Sequence, residues 1–203
     1  MEKRIRSVEV RDAEAVRNIY APFVSDTATS FESETPDITT MEARIRDLRE
    51  GYPWLVFEAG NNVLGYAYAS PHRTRHAYQW CVEVSVYIHA EARNCGIGGA
   101  LYTALFEILR KQGYVNAYAA ITLPNPASVA FHESLGFAPI GVFKQIGFKL
   151  GQWHDVAWSH LRLSDGSNPV ANPQPAIDFL RDEDIVSICR QQAQSVRYNR
   201  EHQ

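Results

Sequence analysis

The 203-residue chain is short of several things, and each shortage excludes something. No apolar run approaches the roughly 20 residues that a bilayer-spanning helix needs, so no membrane segment is expected. Met1-Glu2-Lys3-Arg4 lead into no signal-like apolar block. Cysteine is scarce: Cys81, Cys95 and Cys189 are odd in number and lack metal-type spacing. That argues against a disulfide framework and a metal site, and favours a reducing cytoplasm. The net charge is only -3 and no basic block stands out, which leaves no case for nucleic-acid binding. No internal repeat is visible. The dinucleotide pattern G-x-G-x-x-G is incomplete, and no Lys-Ser or Lys-Thr follows a glycine as a P-loop requires.

What is present is Arg93-Asn94-Cys95-Gly96-Ile97-Gly98-Gly99. It follows an apolar strand-like run, Val82 to Ile88, and precedes an amphipathic helix pattern from Ala100 to Lys111. A strand-to-helix loop with glycines at close-approach positions aims several backbone N–H groups at one point, and the positive end of the helix dipole adds to them. Such a loop suits a pyrophosphate.

The rest of the chain reads as mixed α and β. Arg4 to Val10 is a first strand. Asp12 caps a helix with Val16, Ile19, Tyr20 and Phe23 on its apolar face. Thr39 and Glu42 form a capping-box pattern ahead of Met41, Ile45 and Leu48. Trp54 to Glu58 and Val63 to Ser70 pair across Asn61-Asn62 as a hairpin. Gly113 ends the helix after the glycine loop, and Val115 to Thr122 is a strand. Ser128 caps a short helix ending near Gly136, and strands follow around Ile140 to Lys149 and His154 to Leu163. The sum is an α/β architecture over residues 1–163. From Ser164 to Pro175 the chain is rich in Ser, Asn, Pro, Gly and Asp and reads as a linker. Residues 164–203 form that linker and a tail. Asp182 to Gln203 suit one polar helix with a thin apolar edge of Ile185, Ile188 and Val196, and a mobile tail is the expectation.

The R-x-x-G-x-G loop resembles the coenzyme A loop of the GNAT acyltransferases. Further segments, in order, are similar to the phosphinothricin N-acetyltransferase branch of that superfamily. They include Tyr52-Pro53-Trp54-Leu55-Val56, Gly65-Tyr66-Ala67-Tyr68-Ala69, Val82-Glu83-Val84-Ser85-Val86-Tyr87, Leu123-Pro124-Asn125, Phe131-His132-Glu133-Ser134-Leu135-Gly136-Phe137 and Gly147-Phe148-Lys149-Leu150-Gly151-Gln152-Trp153-His154-Asp155-Val156. The likeness covers roughly residues 4 to 163. It implies a GNAT fold, with a mixed central sheet, a splayed acetyl-CoA-binding strand pair and flanking helices. It also implies acetyl-CoA as co-substrate, a small amine substrate of the phosphinothricin, methionine sulfoximine or methionine sulfone type, and a homodimer.

Acetyl transfer to an amine needs a deprotonated amine, a polarised thioester carbonyl and a proton for the departing thiolate. Glu83, between two valines in a strand, is the candidate base, and desolvation there raises a carboxyl pKa. A structural ion pair is the competing reading. The resemblance gives the backbone of Val86, Tyr87 and Ile88 to the pantetheine arm, Arg93 to Gly99 to the pyrophosphate and Asn125 to a pantetheine hydrogen bond. His132 stands where the branch carries a histidine as acid, against the competing reading of a structural histidine. Arg73, Thr74 and Arg75 are the substrate candidates, because guanidinium forks suit carboxylate and phosphinate oxygens. Tyr78, Phe31 and Trp80 are candidate pocket walls, and Trp153 and Asp155 border either the pocket or a two-fold interface. Cys95 has no evident His partner and reads as structural. Two alternatives stay open: an acetyltransferase for another amine, and a coenzyme A-binding sensor without turnover.

Overall fold

The structure, a computed structural model, describes residues 1–165 and 171–198. Seven strands form one mixed sheet in the order β1-β2-β3-β4-β5-β7-β6. They are β1 (Lys3–Ser7), β2 (Trp54–Ala59), β3 (Asn62–Pro71), β4 (Cys81–Ile88), β5 (Asn116–Thr122), β6 (Ala138–Lys149) and β7 (Gln152–Arg162). Five α-helices accompany them: α1 (Ala13–Ser25), α2 (Ile38–Arg49), α3 (Ile97–Gln112), α4 (Pro126–Ser134) and α5 (Glu183–Ser195). The strand and helix pattern read from the sequence holds with small shifts at most ends, but β1 stops at Ser7 with Val10 in a short 3-10 turn, and the tail helix stops at Ser195, short of the Gln203 expected. Two caps differ. Asp37, not Thr39, caps α2 by accepting from Thr40 N at 2.7 Å. Asn125, not Ser128, caps α4 by accepting from Ser128 N at 3.1 Å. In both cases an Asx side chain two or three residues upstream reaches the first free N–H groups.

Helices cover both faces of the sheet, so β2 is buried along its whole length. Trp54 and Val56 face α1 and α2 and join Val16, Ile19, Met41 and Ile45. Leu55 and Phe57 face the other way and join Leu101, Leu105, Ile108 and Leu109 of α3. Alternate side chains of a strand point to opposite faces, which is why one apolar run serves two cores.

One buried ion network fixes the β1 edge. Arg6 binds both oxygens of Asp12, at 2.6 and 2.8 Å, and Glu58 at 2.7 Å. Glu58 also accepts from Arg4 at 2.9 Å, and Glu9 N donates to Asp12 at 2.8 Å. Burial pulls both carboxyls upward, but the guanidinium groups, with the Glu9 N–H at Asp12, outweigh it and hold both below the ordinary carboxylate range.

The expectation of a mobile tail is corrected. Ile185, Cys189, Ala193, Val196 and Tyr198 are buried in the same core as α3, and α5 packs on α3 and β1. The thin apolar edge read from the sequence suffices because α3 and β1 offer it an apolar partner. The polar groups of the segment are also engaged. Lys111 Nζ donates to Asp182 at 2.7 Å, Lys3 Nζ to Val196 O at 2.8 Å and Arg197 N to Cys95 O at 2.9 Å. The described end of the linker, from residue 171, is held too: Gln112 Nε2 donates to Gln174 O at 2.6 Å and Trp80 Nε1 to Ala171 O at 2.8 Å. Residues 199–203, the end of the expected helix, lie outside the described residues.

Candidate active site

The site is built around a parting of strands. β4 pairs with β5 in parallel only at Cys81↔Asn116, Val82↔Ala117 and Glu83↔Tyr118. From Val84 to Ile88 the β5 side of β4 has no strand partner, while its β3 side stays paired without a register shift, from Pro71↔Val82 to Gly65↔Ile88. A strand edge opened inside a sheet exposes backbone N–H and C=O groups that need partners. Val86, Tyr87 and Ile88 lie on this open stretch, as the sequence reading expects.

The glycine loop follows. His89 to Ala92 make one tight turn, and Arg93 to Cys95 lead into α3. Gly96 sits at the N-cap of α3 with φ +86°, and Asn94 has φ +61°. A side chain at 96 would be strained in that conformation. The first N–H groups of α3, on Ile97, Gly98 and Gly99, have no intrahelical acceptor by construction and face the loop with the positive end of the helix dipole. At Gly98 a Cβ would come 3.2 Å from the Phe131 ring, so glycine is what lets α3 and α4 approach. The Arg93 guanidinium lies over the Phe23 ring, 5.4 Å from its centre. The half-buried Cys95 thiol faces the Arg93 carbonyl at 3.5 Å.

Glu83 occupies the last paired position before the strands part. Val82 and Val84 turn to the core and are buried, while Glu83 turns to the opposite face and its side chain keeps 34% exposure. The desolvation expected from its neighbours is thus only partial, because strand alternation places it on the other face from them. Its Oε1 lies 3.0 Å from His72 Nδ1. His72 follows β3 directly, and its ring stacks on Tyr118 at 4.6 Å with Tyr78 and Trp158 edge-on at 6.1 and 5.7 Å. The buried indole N–H of Trp158 has no partner in the described structure. The sequence reading missed His72. Only the β3–β4 register, which puts Pro71 opposite Val82, brings it to Glu83.

Arg73, Thr74 and Arg75 are exposed on the same loop, next to His72. Neither arginine makes an ion pair among the described residues. Of the candidate walls, Tyr78 and Phe31 are exposed and Trp80 half-buried, so none belongs to the core. Phe31 packs over Gly147, and Lys149 Nζ binds Val24 O and Ser30 O at 2.6 Å each, which ties the 24–31 loop to β6. Asp155 accepts from Lys144 Nζ and Gln145 N at 2.8 Å, and these bonds hold its carboxyl below the ordinary range. Trp153 is exposed and touches Phe148 edge-on at 5.4 Å.

His132, given the acid role above, sits in an enclosed position. It is buried on α4 among Tyr102, Phe131 and Phe137. Its Nδ1 donates to Ser128 O at 2.8 Å, and its Nε2 faces the Tyr102 hydroxyl at 3.4 Å. Burial lowers its pKa despite the Ser128 carbonyl, so the neutral ring is favoured. Asn125 spends its Oδ1 on the α4 cap, which leaves its amide NH₂ for another partner.

Among the described residues no cluster of three or more His, Cys, Asp or Glu is arranged to hold a metal ion, and no helix is long and apolar enough to cross a membrane.

Comparison with known proteins agrees with this geometry. The family described as "Acetyltransferase (GNAT) domain" matches residues 5–158. A phosphinothricin N-acetyltransferase of Streptomyces viridochromogenes is 36% identical over 154 residues, which is 76% of this chain and 84% of that protein. An L-methionine sulfoximine/L-methionine sulfone acetyltransferase of Pseudomonas aeruginosa is 37% identical, covering 80% of this chain and 96% of the relative. Among solved structures, a phosphinothricin acetyltransferase from Sinorhizobium meliloti in complex with AcCoA superposes with a TM-score of 0.77 at 33% identity. That likeness spans 85% of this chain and 98% of the other.

Proposed function

Because this chain belongs to the GNAT family of acetyltransferases, we propose that it moves the acetyl group of acetyl-CoA to the amine of a small amino-acid-like substrate. The substrate carries an anionic or strongly polar head, as phosphinothricin, methionine sulfoximine and methionine sulfone do. One observation carries the reading: a carboxylate, Glu83, stands where β4 leaves β5, with the unpaired Arg73 and Arg75 on the loop beside it.

The fit of acetyl-CoA rests on the open edge and the loop. The free β5-side backbone of Val86, Tyr87 and Ile88 offers partners for the amide-bearing pantetheine arm, and one N–H there would polarise the thioester carbonyl. The loop from Arg93 to Gly99 offers N–H groups and a helix N-terminus to the pyrophosphate. The Asn125 amide can donate to the same arm. Glu83 takes a proton from the substrate ammonium, and the freed amine attacks the carbonyl directly; the C–S bond then breaks, and coenzyme A leaves as a thiolate that takes up the second proton shed by the acylated nitrogen. No activated nucleophile argues for an acetyl-enzyme: Cys95 has a backbone carbonyl, not a base, as its partner. For His132 the support is for packing α4 on α3.

The reading is tested by thiol release from acetyl-CoA with phosphinothricin, methionine sulfoximine, methionine sulfone, common amino acids, a polyamine and a basic peptide. Saturable turnover concentrated in the first three is expected, with Arg73→Ala and Arg75→Ala raising their KM by about 10-fold or more. Turnover confined to the cationic amines would overturn the arginine pocket.

We also propose a homodimer. Ile140, Val142, Phe143, Ile146, Phe148, Leu150 and Trp153 are all exposed along the β6–β7 hairpin, a concentration of exposed apolar side chains of the kind that marks an interface. Sedimentation of the wild type should give twice the 22.9 kDa chain mass, and Phe148→Asp with Trp153→Asp should give the monomer. A wild-type monomer would overturn the assignment.

A further inference from the structure

We propose that His72 is a positioning residue for Glu83, and that the two act as one unit in taking the amine proton. The inference rests on the reading of Glu83 as the base.

The His72 ring has little freedom. It stacks on Tyr118 at 4.6 Å with the planes 21° apart, and Tyr78 and Trp158 close on it edge-on. Its side chain is 14% exposed, against 34% for Glu83. Its hydrogen bond in the described structure runs from Nδ1 to Glu83 Oε1, at 3.0 Å. The Glu83 side chain, by contrast, makes no other hydrogen bond or ion pair there. A glutamate has three rotatable side-chain bonds, and a half-exposed one samples many orientations unless something holds it. The aromatic cage holds the imidazole, and the imidazole holds the carboxylate.

The chemical consequence follows from the atoms. With Nδ1–H donating to Oε1, the anionic carboxylate gains a charge-assisted hydrogen bond, and Oε2 is left for the substrate. The substrate N–H bond breaks, an Oε2–H bond forms, and the nitrogen keeps the electron pair that attacks the thioester carbonyl. His72 exchanges no proton in this step. Its contribution is to keep Oε2 aimed, and reactions lose rate steeply when a reacting group is left to wander. Position 72 joins the two halves of the site: its ring contacts Glu83, and the next residue begins the Arg73–Arg75 loop. Substrate seated on that loop is thereby delivered next to the oxygen that His72 leaves free.

The test uses four variants of the full chain: His72→Phe, His72→Asn, Glu83→Gln and the double variant His72→Phe/Glu83→Gln. Phenylalanine keeps the stack on Tyr118 and removes the donor, whereas asparagine places an amide N–H near the position of Nδ1. His72→Phe should lower kcat by about 10- to 100-fold with the KM for acetyl-CoA unchanged, and His72→Asn should recover most of that loss. In the Glu83→Gln background, His72→Phe should cost less than about 2-fold, because the unit is already broken. Losses that multiply in the double variant, or a His72→Asn as slow as His72→Phe, would overturn the proposal and leave His72 as a pocket wall. Should His72→Phe fail to fold, His72→Leu, which likewise keeps apolar bulk against Tyr118 and removes the donor, takes its place with the same expected deficit. A Glu83→Gln enzyme with wild-type kcat would overturn the base assignment itself, an outcome distinct from a Glu83→Gln that is slow beside an unaffected His72→Phe.

Discussion

Glu83→Gln should lower kcat by about 10²- to 10³-fold, the range that loss of a general base costs, while acetyl-CoA still binds with unchanged affinity. The substitution keeps size and the hydrogen-bonding reach of the side chain, so the sheet is undisturbed. What it removes is the only carboxylate at the point where β4 and β5 part among the described residues. Amine substrates reach the enzyme mostly as ammonium ions, which have no lone pair with which to attack. The glutamine variant must wait for the rare free amine, so its rate should rise with pH more steeply than that of the wild type. Initial rates with saturating acetyl-CoA, together with calorimetric binding of acetyl-CoA, check both halves. A kcat within about 3-fold of wild type would remove Glu83 from the mechanism. Loss of acetyl-CoA binding would mean the substitution had damaged the fold.

Arg6→Met should destabilise the protein by about 3–5 kcal/mol at neutral pH, because it strands buried carboxylates. For a chain of this size that corresponds to a drop in Tm of roughly 10 °C, read by thermal unfolding. Asp12 loses two charge-assisted bonds and keeps only the Glu9 N–H, and Glu58 is left with the half-exposed Arg4. The penalty should depend on pH with a definite sign. Both carboxyls lie below their ordinary values in the folded protein, so what they contribute is complete above the unfolded pKa near 4. It is lost as the pH falls through the folded values. The gap between wild type and variant should therefore be widest at pH 7 and shrink on acidification below about pH 4. A gap that is constant from pH 7 to pH 3 would mean that the methionine costs stability through packing, not charge.

Local signals were the readable part of this protein. The loop from Arg93 to Gly99 could be recognised because backbone exposure is written into glycine positions and into the change from a strand to a helix pattern. The β2–β3 hairpin was visible as two strand-like runs on either side of Asn61-Asn62. Glu83 stood out as a charge within an apolar strand. The sheet's parting after Glu83 was an expectation drawn from likeness alone, since no residue type marks where a ladder stops. The cap of α2 went to Asp37 instead of Thr39 for a reason of reach that a four-residue motif does not contain.

Histidines were where the sequence and the folded chain parted furthest. His132 carried the family signal, yet it is enclosed between α3 and α4, with Ser128 of its own helix at one ring nitrogen and Tyr102 of α3 at the other. His72 carried no signal and lies against Glu83. The difference is physical: whether an imidazole can hold or give a proton depends on what meets its two nitrogens, and those partners come from Tyr102 and Glu83, 30 and 11 residues away. The tail shows the same division. Its thin apolar edge has too little surface to fold alone, and composition by itself describes a solvated segment. Once α3 and β1 present a matching face, Ile185, Cys189 and Ala193 are buried, and Arg197 reaches back to the Cys95 carbonyl of the glycine loop. The sequence by itself determined the strands, the helices and the phosphate-type loop, because these depend on near neighbours and on periodicity. Only the tertiary structure decided which histidine meets the carboxylate and where the tail docks, because both depend on surfaces that exist only after distant segments have come together.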